Sequence, residues 1–353
     1  MVGIPGTKAN PLNSQLLVST GVPSLDKVLG GGIPVGSITL IEEDEHGIFA
    51  KTLLKYFLVE GVACGQHSVT VSLDHDPNEL LKNLPALAKE QPKDKGHNKQ
   101  DDQQMKIAFR YQNLPTNEKE AQSIFGHYYD LSESMPSQDI DSNHHMCFSE
   151  DNILLGQDKN LFKNKTLNSV INHINKLVQD SKFANDGNFS NKNILRVCIH
   201  QLGTLMWDDL DELAKFMYFL RCILRNCFAI AMISIPTHLN EKLKKIYNAR
   251  LINACDIALR LVSFSGTHYE KNKVLSDFHG FFYIDKLAAI NSLLSSHPGA
   301  VDYTFKLLRK KLCIEKFYLP AGYDLDPKDE KQKRHQVSGG CGTIGAAKTP
   351  LDF

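Results

Sequence analysis

The sequence predicts an α/β fold with a mainly parallel sheet, helices on both of its faces and antiparallel strands towards the carboxyl-terminal end. Two observations predict it. Short, almost entirely apolar segments alternate with longer segments whose apolar residues recur at helical spacing, and strands buried on both faces are typical of parallel sheets. The last third differs, since the segments 257–262, 280–284 and 305–317 are expected to be antiparallel strands.

The first two thirds of the chain supply the predicted parallel strands and the helices that cover them. Nearly all-apolar segments predict strands at 37–41, 69–73, 106–111, 194–199 and 227–235. Helical periodicity predicts helices at 48–63, 166–182 and 208–225. The last helix begins with acidic residues and ends with Arg221 and Arg225, which is the order of charge that the helix dipole favours.

We expect one α/β domain over 17–322, between two disordered tails at 1–16 and 323–353. The first tail begins with a segment rich in Gly, Pro and Asn, and the second is polar, charged and rich in Gly. Polar segments near 92–104 and 132–152 predict mobile surface insertions. Such segments bury too little apolar surface to offset the entropy lost on ordering.

The charge balance excludes a strong long-range attraction to nucleic acid. Of 353 residues, 40 are Lys or Arg and 40 are Asp or Glu, so the formal net charge is zero. Contact with RNA must therefore come from a local basic patch or from partner chains.

The cysteine pattern indicates a reducing compartment. The eight cysteines form no C-x-x-C pair, and several lie in apolar segments, which favours buried free thiols and gives no support for structural zinc or any other metal site. No signal peptide is recognisable, and the longest apolar stretch is too short to span a bilayer. We therefore expect a soluble intracellular protein.

A phosphate-binding loop is expected between the strand at 37–41 and the helix at 48–63, but its defining residues are replaced. The motif G-x-x-x-x-G-K-[ST] uses its glycines to curl backbone N–H groups around phosphates. Lys51 and Thr52 stand where the motif has Lys and Ser/Thr, whereas Glu45 and Ala50 replace the two glycines. Lys51 and Thr52 are candidates for a vestigial nucleotide contact. The alternative, which we favour, is an ordinary first turn of a helix.

Neighbouring residues also argue against a working ATP site. Glu42, Glu43 and Asp44 place negative charge beside the position of a triphosphate. The strand at 194–199 ends in His200 rather than in an acid that would order magnesium, and a histidine there is more often a hydrogen-bonded core residue than a catalytic base. The chain taken alone is predicted to be a pseudo-ATPase, with no catalytic residue.

A run near the amino terminus resembles the entrance to RecA-type and KaiC-type domains. The run at 20–37 reads TGVPSLDKVLGGGIPVGS, and it precedes the first predicted core strand as in those domains. Further segments are similar to the PAXNEB family of Elongator subunits. They read KIAFRYQ from 106, YDLS from 129, SIPTHL from 234, DFHG from 277 and FKLLRKK from 305. The resemblance extends over about 17–320.

The resemblance implies a function as well as a RecA-like fold. Members of this family join two similar subunits, elongator complex proteins 5 and 6, in a hetero-hexameric ring. The ring is an accessory module of Elongator, which modifies the wobble uridine of tRNA and is also linked to transcription elongation. The chemistry belongs to another subunit. The resemblance thus implies a non-catalytic cytoplasmic and nuclear subunit, with the catalytic Elongator core and tRNA as partners and no membrane contact.

Two alternatives remain open. In the first, the chain is an ATPase with nucleotide sites at interfaces between ring subunits, where an arginine from a neighbour completes each site. ATP would then be its cofactor, whereas the interpretation we favour, a non-catalytic Elongator subunit, has no cofactor. In the second, the chain is a recombinase or a KaiC-like signalling paralogue that acts on DNA or protein. The altered loop argues against autonomous hydrolysis, and the PAXNEB segments argue against the second alternative.

The candidates for RNA contact follow the predicted strand at 227–235. They are Lys242, Lys244, Lys245 and Arg250. The resemblance implies that loops at this place face the central opening of a ring. The alternative is a solvated helix face, because 241–245 has helical spacing. A second basic run at 306–311 is interpreted as a strand that suits an exposed sheet edge.

Overall fold

The structure, a computed structural model, describes residues 3–10, 13–88, 125–141, 145–151, 161–187, 191–207, 210–272, 274–291 and 302–317. Three sequence predictions lie outside the described residues. They are the strand at 106–111, the insertion near 92–104 and the carboxyl-terminal tail at 323–353.

Strands and helices alternate through the described part of the chain. The strands are β1 Thr7–Ala9, β2 Leu16–Val18, β3 Ile33–Pro34, β4 Ile38–Glu42, β5 His67–Val71, β6 Pro85–Leu87, β7 Tyr129–Ser134, β8 His145–Phe148, β9 Leu195–Ile199, β10 Ala229–Ile235, β11 Ile257–Ser263, β12 Gly280–Lys286, β13 Tyr303–Leu307 and β14 Leu312–Lys316. The α-helices are α1 Pro23–Val28, α2 Ile48–Ala63, α3 Pro77–Lys82, α4 Ser137–Asp141, α5 Lys165–Val178, α6 Leu213–Arg225, α7 Glu241–Ile246 and α8 Ile252–Ala254.

The main sheet has nine described strands in the order β14-β13-β12-β11-β4-β10-β9-β5-β8. The strands from β11 to β8 pair in parallel, and β12, β13 and β14 extend the sheet with antiparallel pairs. Smaller antiparallel sheets join β1, β2 and β3, and join β6 and β7. The predicted mainly parallel sheet with antiparallel strands at its carboxyl-terminal end is confirmed.

Helices cover both faces of this sheet, as in a RecA-like fold. Along β4, Ile38 and Leu40 face one apolar cluster and Ile41 faces the other, because successive side chains of a strand point to opposite faces. Helices α5 and α6 pack in the first cluster, and α2 packs in the second. Within the described residues, no helix is both long enough and apolar enough to cross a membrane.

The helix predictions differ from the structure mainly at their ends. The helix predicted at 48–63 has the bounds of α2, and α5 ends at Val178 rather than at 182. Of the helix predicted at 208–225, Leu210–Glu212 forms a short 3-10 turn and α6 begins only at Leu213.

Two predictions about the carboxyl-terminal strands are corrected. Strand β11 is antiparallel to β12 but parallel to β4, so it is the last parallel strand. The single strand predicted at 305–317 is the hairpin of β13 and β14. The N–H of Leu308 donates to the carbonyl of Lys311 at 2.8 Å. The basic run at 306–311 therefore spans the hairpin turn, where charged side chains reach water, rather than one strand.

Two segments expected to be irregular contain strands. The predicted tail at 1–16 includes β1, which pairs with β2, and Ile4 is buried. The segment 132–152 includes β8, the edge strand that pairs with β5. Strand β8 is only four residues long and lies between polar residues, so its apolar residues Met146, Cys147 and Phe148 are too few to predict a strand from the sequence. Polarity alone was therefore a poor guide in this segment.

Candidate phosphate-loop site at the carboxyl edge of the sheet

The loop from β4 to α2 lies where the sequence predicted a phosphate loop. Strand β4 lies between β10 and β11 in the main sheet, so the loop is at the carboxyl edge of the parallel strands. The N–H of Glu43 donates to the carbonyl of Ile235 at 3.0 Å and extends this pairing. Gly47 precedes α2 with a φ of 66°, in the left-handed region that favours glycine. Strand, loop and helix therefore have the order of a phosphate loop.

The carboxylate of Asp44 binds the amino-terminal end of α2. One oxygen, Oδ2, accepts from the N–H of Ile48 at 3.1 Å. The other, Oδ1, accepts from the N–H groups of Phe49 and Ala50, each at 3.1 Å. These N–H groups have no partner within the helix and are the groups that hold a phosphate in P-loop proteins. A side chain of the chain itself thus supplies the anion that the helix end favours.

The sequence suggested three uncompensated acids in this loop, but Asp44 and Glu42 have compensating partners, whereas Oε1 of Glu43 is buried without a hydrogen-bond partner among the described residues. Besides Asp44, Glu42 accepts a hydrogen bond from the hydroxyl of Thr237 and lies 3.7 Å from Nε of Arg260. Glu43 is 4% exposed. Burial raises the pKa of the Glu43 carboxyl to about 7, and the charge of Asp44 adds to this effect, whereas hydrogen bonds from Ser234 and Gln201 oppose it.

Lys51 and Thr52 lie in the first turns of α2. The hydroxyl of Thr52 donates to the carbonyl of Ile48 at 2.8 Å, so it is directed along the helix backbone. Lys51 is half-buried, and its charge lowers the pKa of His200. The structure thus brings Lys51 close to His200 and uses the hydroxyl of Thr52 within the helix. Their contact with a nucleotide stays a prediction.

His200 and Gln201 follow β9 at the same edge of the sheet. His200 is buried, and its Nδ1 lies 3.5 Å from the hydroxyl oxygen of Ser72. Burial, together with the charges of Lys51 and His75, lowers the pKa of His200 to about 3, so the ring is neutral at physiological pH. A neutral, buried and hydrogen-bonded ring fits the interpretation of His200 as a core residue. The side-chain amide of Gln201 donates to Oε2 of Glu43 at 3.4 Å.

The sequence model of the PAXNEB protein family matches residues 1–353. The chain belongs to the PAXNEB family. It is 37% identical over 383 residues to Elongator complex protein 4 of Xenopus laevis, covering 99% of this chain and 92% of that protein. It is 36% identical to the Homo sapiens protein of the same name, over 100% of this chain and 89% of the relative. The Danio rerio protein is 32% identical, with 100% and 93% covered.

The candidate RNA-contact residues of this PAXNEB-family chain lie beyond β10, on the helical segment that leads from the carboxyl end of β10 back to the start of β11. Asn240 caps α7, because its side-chain oxygen accepts from the N–H of Lys242 at 2.8 Å. Leu243 is buried, whereas Lys242, Lys244, Lys245 and Arg250 are exposed. Nζ of Lys242 lies 2.9 Å from Oδ1 of Asp211. The helix has one buried and one basic side, which is compatible with both interpretations made from the sequence.

Sequence reasoning missed a buried polar network beneath the opening run of this PAXNEB-family chain. Asp26 accepts from the hydroxyl of Ser19 at 2.5 Å and from the N–H and hydroxyl of Thr20 at 2.8 and 2.7 Å. Arg196 is fully buried, and its Nη1 donates to the carbonyls of Ser19 and Phe57, each at 3.0 Å. An arginine within the otherwise apolar strand β9 was the signal. The Thr-Gly-x-x-x-Leu-Asp run from Thr20 to Asp26 therefore has a structural role, because its first and last residues hydrogen-bond to each other.

Proposed function

We propose that this chain is a non-catalytic, RecA-like subunit of the Elongator complex. In this proposal it assembles with elongator complex proteins 5 and 6 in an accessory ring that supports modification of the tRNA wobble uridine. The names of its relatives support membership of the complex. The observation that supports a non-catalytic role is the carboxylate of Asp44 on the N–H groups of Phe49 and Ala50.

A nucleotide would have to displace Asp44 to reach the helix end. Each charge-assisted hydrogen bond contributes about 1.5–3 kcal/mol, and Asp44 makes three bonds to backbone N–H groups. Asp44 is only 1% exposed, so a displaced carboxylate would stay close to the incoming phosphates and repel them. We therefore expect neither ATP nor another cofactor at this position of the isolated chain.

The contribution to RNA binding is assigned to α7 and the residues after it. Lys244, Lys245 and Arg250 are exposed, and no carboxylate of the described residues lies within ion-pair distance of them. A formal net charge of zero makes one copy of this cluster a weak ligand for a polyanion. Several copies around a ring would bind with higher avidity. The proposed partners are the two ring subunits, the catalytic Elongator core and tRNA, in cytoplasm and nucleus.

The test is to purify the tagged full-length chain from cells and identify the associated proteins and RNA by mass spectrometry and sequencing. The two ring subunits and the Elongator core should be recovered. ATP turnover is then measured for the isolated chain and for the assembled ring, in each case for the wild type and for the Lys51→Ala variant. Turnover that Lys51→Ala abolishes would overturn the non-catalytic role and support the alternative of nucleotide sites between subunits.

A further inference from the structure

A cavity of about 270 Å³ lies on the far side of α2 from its phosphate-loop end. Glu60 and Cys64 are one helical turn apart at the carboxyl end of α2, and His127 lies in the segment that leads into β7. All three side chains line the cavity. The Glu60 side chain is 2% exposed and that of His127 is 46% exposed. The cavity thus has one buried carboxylate and remains open to solvent on the side of the imidazole.

The segment with His127 is held in place by a close backbone approach at Gly126. Its φ is 94°, and a Cβ at this position would lie 2.3 Å from Oγ of Ser19. Only glycine has both this conformation and this clearance. The N–H of His127 also donates to Oε2 of Glu60 at 3.2 Å. The imidazole is therefore positioned above the end of α2 by its own backbone.

Two of the three separations between the donor atoms match those of a tetrahedral metal site. Oε1 of Glu60 lies 3.2 Å from Nδ1 of His127 and 3.5 Å from Sγ of Cys64, and the three donor atoms lie within 4.8 Å of one another. Bonds of about 2.0–2.1 Å from zinc to N and O and about 2.3 Å to S give tetrahedral edges of about 3.3 Å for N···O and about 3.5 Å for S···O. The observed Oε1–Nδ1 and Oε1–Sγ distances agree with these edges.

The remaining hydrogen bonds leave one carboxylate oxygen for a ligand. Oε2 of Glu60 accepts from the hydroxyl of Tyr129 at 2.6 Å as well as from the N–H of His127. Oε1 faces only the imidazole and the thiol among the contacts described. Fixing one oxygen by hydrogen bonds while the other binds a metal is the usual outer-shell arrangement.

The chemistry of the donors selects the ion. A thiolate, an imidazole and a carboxylate together suit zinc, whereas calcium and magnesium prefer oxygen alone. Arg196 adds a buried positive charge close to Glu60, and Asp26 adds a negative one close to Arg196. Two anionic ligands and Asp26 offset Arg196 and a divalent ion, and Lys8, which also lines the cavity, adds one positive charge.

We propose that Glu60, Cys64 and His127 bind one Zn²⁺ ion, with water in the fourth position, and that the ion fastens the segment before β7 to the end of α2. Binding replaces the thiol proton of Cys64, which is released to solvent. It also requires Nδ1 of His127 to be free of its proton, so the neutral ring carries its single N–H at Nε2 and no longer donates to Oε1 of Glu60. The proposal does not depend on the Elongator assignment. The sequence alone gave no zinc motif, because Glu60 and Cys64 are separated from His127 by more than sixty residues of sequence.

The test uses the full-length chain, stripped of metal with a chelator and titrated with Co²⁺ and then with Zn²⁺. The expected results are visible ligand-field bands of tetrahedral cobalt, a near-ultraviolet thiolate-to-cobalt band, displacement by one equivalent of Zn²⁺ and a rise in melting temperature. Cys64→Ser should abolish the near-ultraviolet band. Cys222→Ser, which changes an exposed thiol, should keep every feature.

His127→Ala provides a second variant at a half-exposed position, where folding is less sensitive to substitution. Tyr129→Phe is the reference, because it removes only a hydrogen bond to the ligand Glu60 and should weaken cobalt binding by about 10–100-fold. His127→Ala removes a ligand and should weaken cobalt binding by more than this. No thiolate-to-cobalt band in the wild type, or an unchanged band in Cys64→Ser, overturns the proposal. In that case the three side chains only hydrogen-bond with one another.

Discussion

The carboxylate of Asp44 accepts a hydrogen bond from the N–H of Ala50 at 3.1 Å, and Ala50 stands where a phosphate loop has its second glycine. The acid at Asp44 and the loss of glycine at Ala50 therefore act together. Without the glycine, the loop loses the freedom to wrap a phosphate, and the acid satisfies the N–H groups that a phosphate would otherwise bind. The same carboxylate that excludes a nucleotide also caps the sixteen-residue helix α2.

Replacing Asp44 by Ala should destabilise the protein. Loss of a cap costs about 0.5–2 kcal/mol, and we expect the upper end of this range because three N–H groups lose their acceptor. The free energy of unfolding is measured by urea titration. The control is Asp76→Ala, which removes the exposed cap of the short helix α3 and should cost less. Equal losses in the two variants would contradict the role of Asp44.

Restoring the two motif glycines should not by itself restore phosphate binding. In Glu45→Gly with Ala50→Gly, Asp44 still occupies the helix end, so pyrophosphate should not bind measurably in calorimetry. Adding Asp44→Gly removes the competing anion and should allow weak binding that decreases with salt. Pyrophosphate binding by the two-glycine variant that retains Asp44 would show that the acid is not the obstacle.

Stability should decrease with rising pH on account of Glu43. The pKa of Glu43 in the folded state is raised to about 7 from an ordinary value of 4.5. The stabilisation of the folded state by protonated Glu43 is therefore complete below about pH 4.5 and is lost as the pH rises through about 7. The loss of unfolding free energy is at most about 3.5 kcal/mol, because each pKa unit of difference corresponds to about 1.4 kcal/mol.

The measurement for Glu43 is the pH dependence of the free energy of unfolding in Glu43→Gln relative to the wild type. The difference between the two proteins isolates Glu43 from Asp26, whose pKa is raised to about 6 by burial, and from His200. Glu43→Gln should gain stability relative to the wild type as the pH rises. Glu45→Gln, at an exposed position, is the control and should follow the wild type. A constant difference across this range would contradict the raised pKa.

Reversing charge on α7 should weaken tRNA binding by the assembled ring. Changing Lys242, Lys244 and Lys245 to Glu removes counterion release at each phosphate contact, so the affinity should fall and its dependence on salt should become shallower. The measurement is a salt titration of both rings with the same tRNA. The control carries the same charge change at exposed lysines elsewhere, Lys27, Lys182 and Lys271. Equal affinities and slopes for α7 variant and wild type would assign RNA contact to other loops or subunits.

The sequence predicted those parts of the fold whose signal is local. The bounds of α2 were correct because the helical spacing of its apolar residues and the position of the run at 20–37 indicate the same helix. Strands β4, β9 and β10 were recognised because buried parallel strands are almost continuously apolar. Strand β8 was missed because its four residues lie within a polar segment. The segment of β13 and β14 was predicted as strand, but the turn that divides it into a hairpin was not recognised. The strands that pair with β11 depend on the topology of the sheet, which the spacing of apolar residues does not specify.

The candidate site was predictable in position but not in chemistry. Lys51 and Thr52 could be placed from the motif, and their context was right. The acids were interpreted as repulsive charge, because a sequence shows the sign of Asp44 but not that its oxygens reach the N–H groups of α2. Glu60 and His127 come from distant parts of the chain, so only the fold brings them together.

The pairing of β4 in the middle of the sheet has a consequence for synthesis on the ribosome. The N–H of Ile38, at the start of β4, donates to the carboxylate of Asp256 across 218 residues of sequence, and both neighbours of β4 follow residue 228. At about 5–20 residues per second, translation takes roughly ten seconds or longer before β10 and β11 emerge. Throughout that interval β4 and α2 are exposed apolar segments of a nascent chain, a substrate for chaperones that bind during translation.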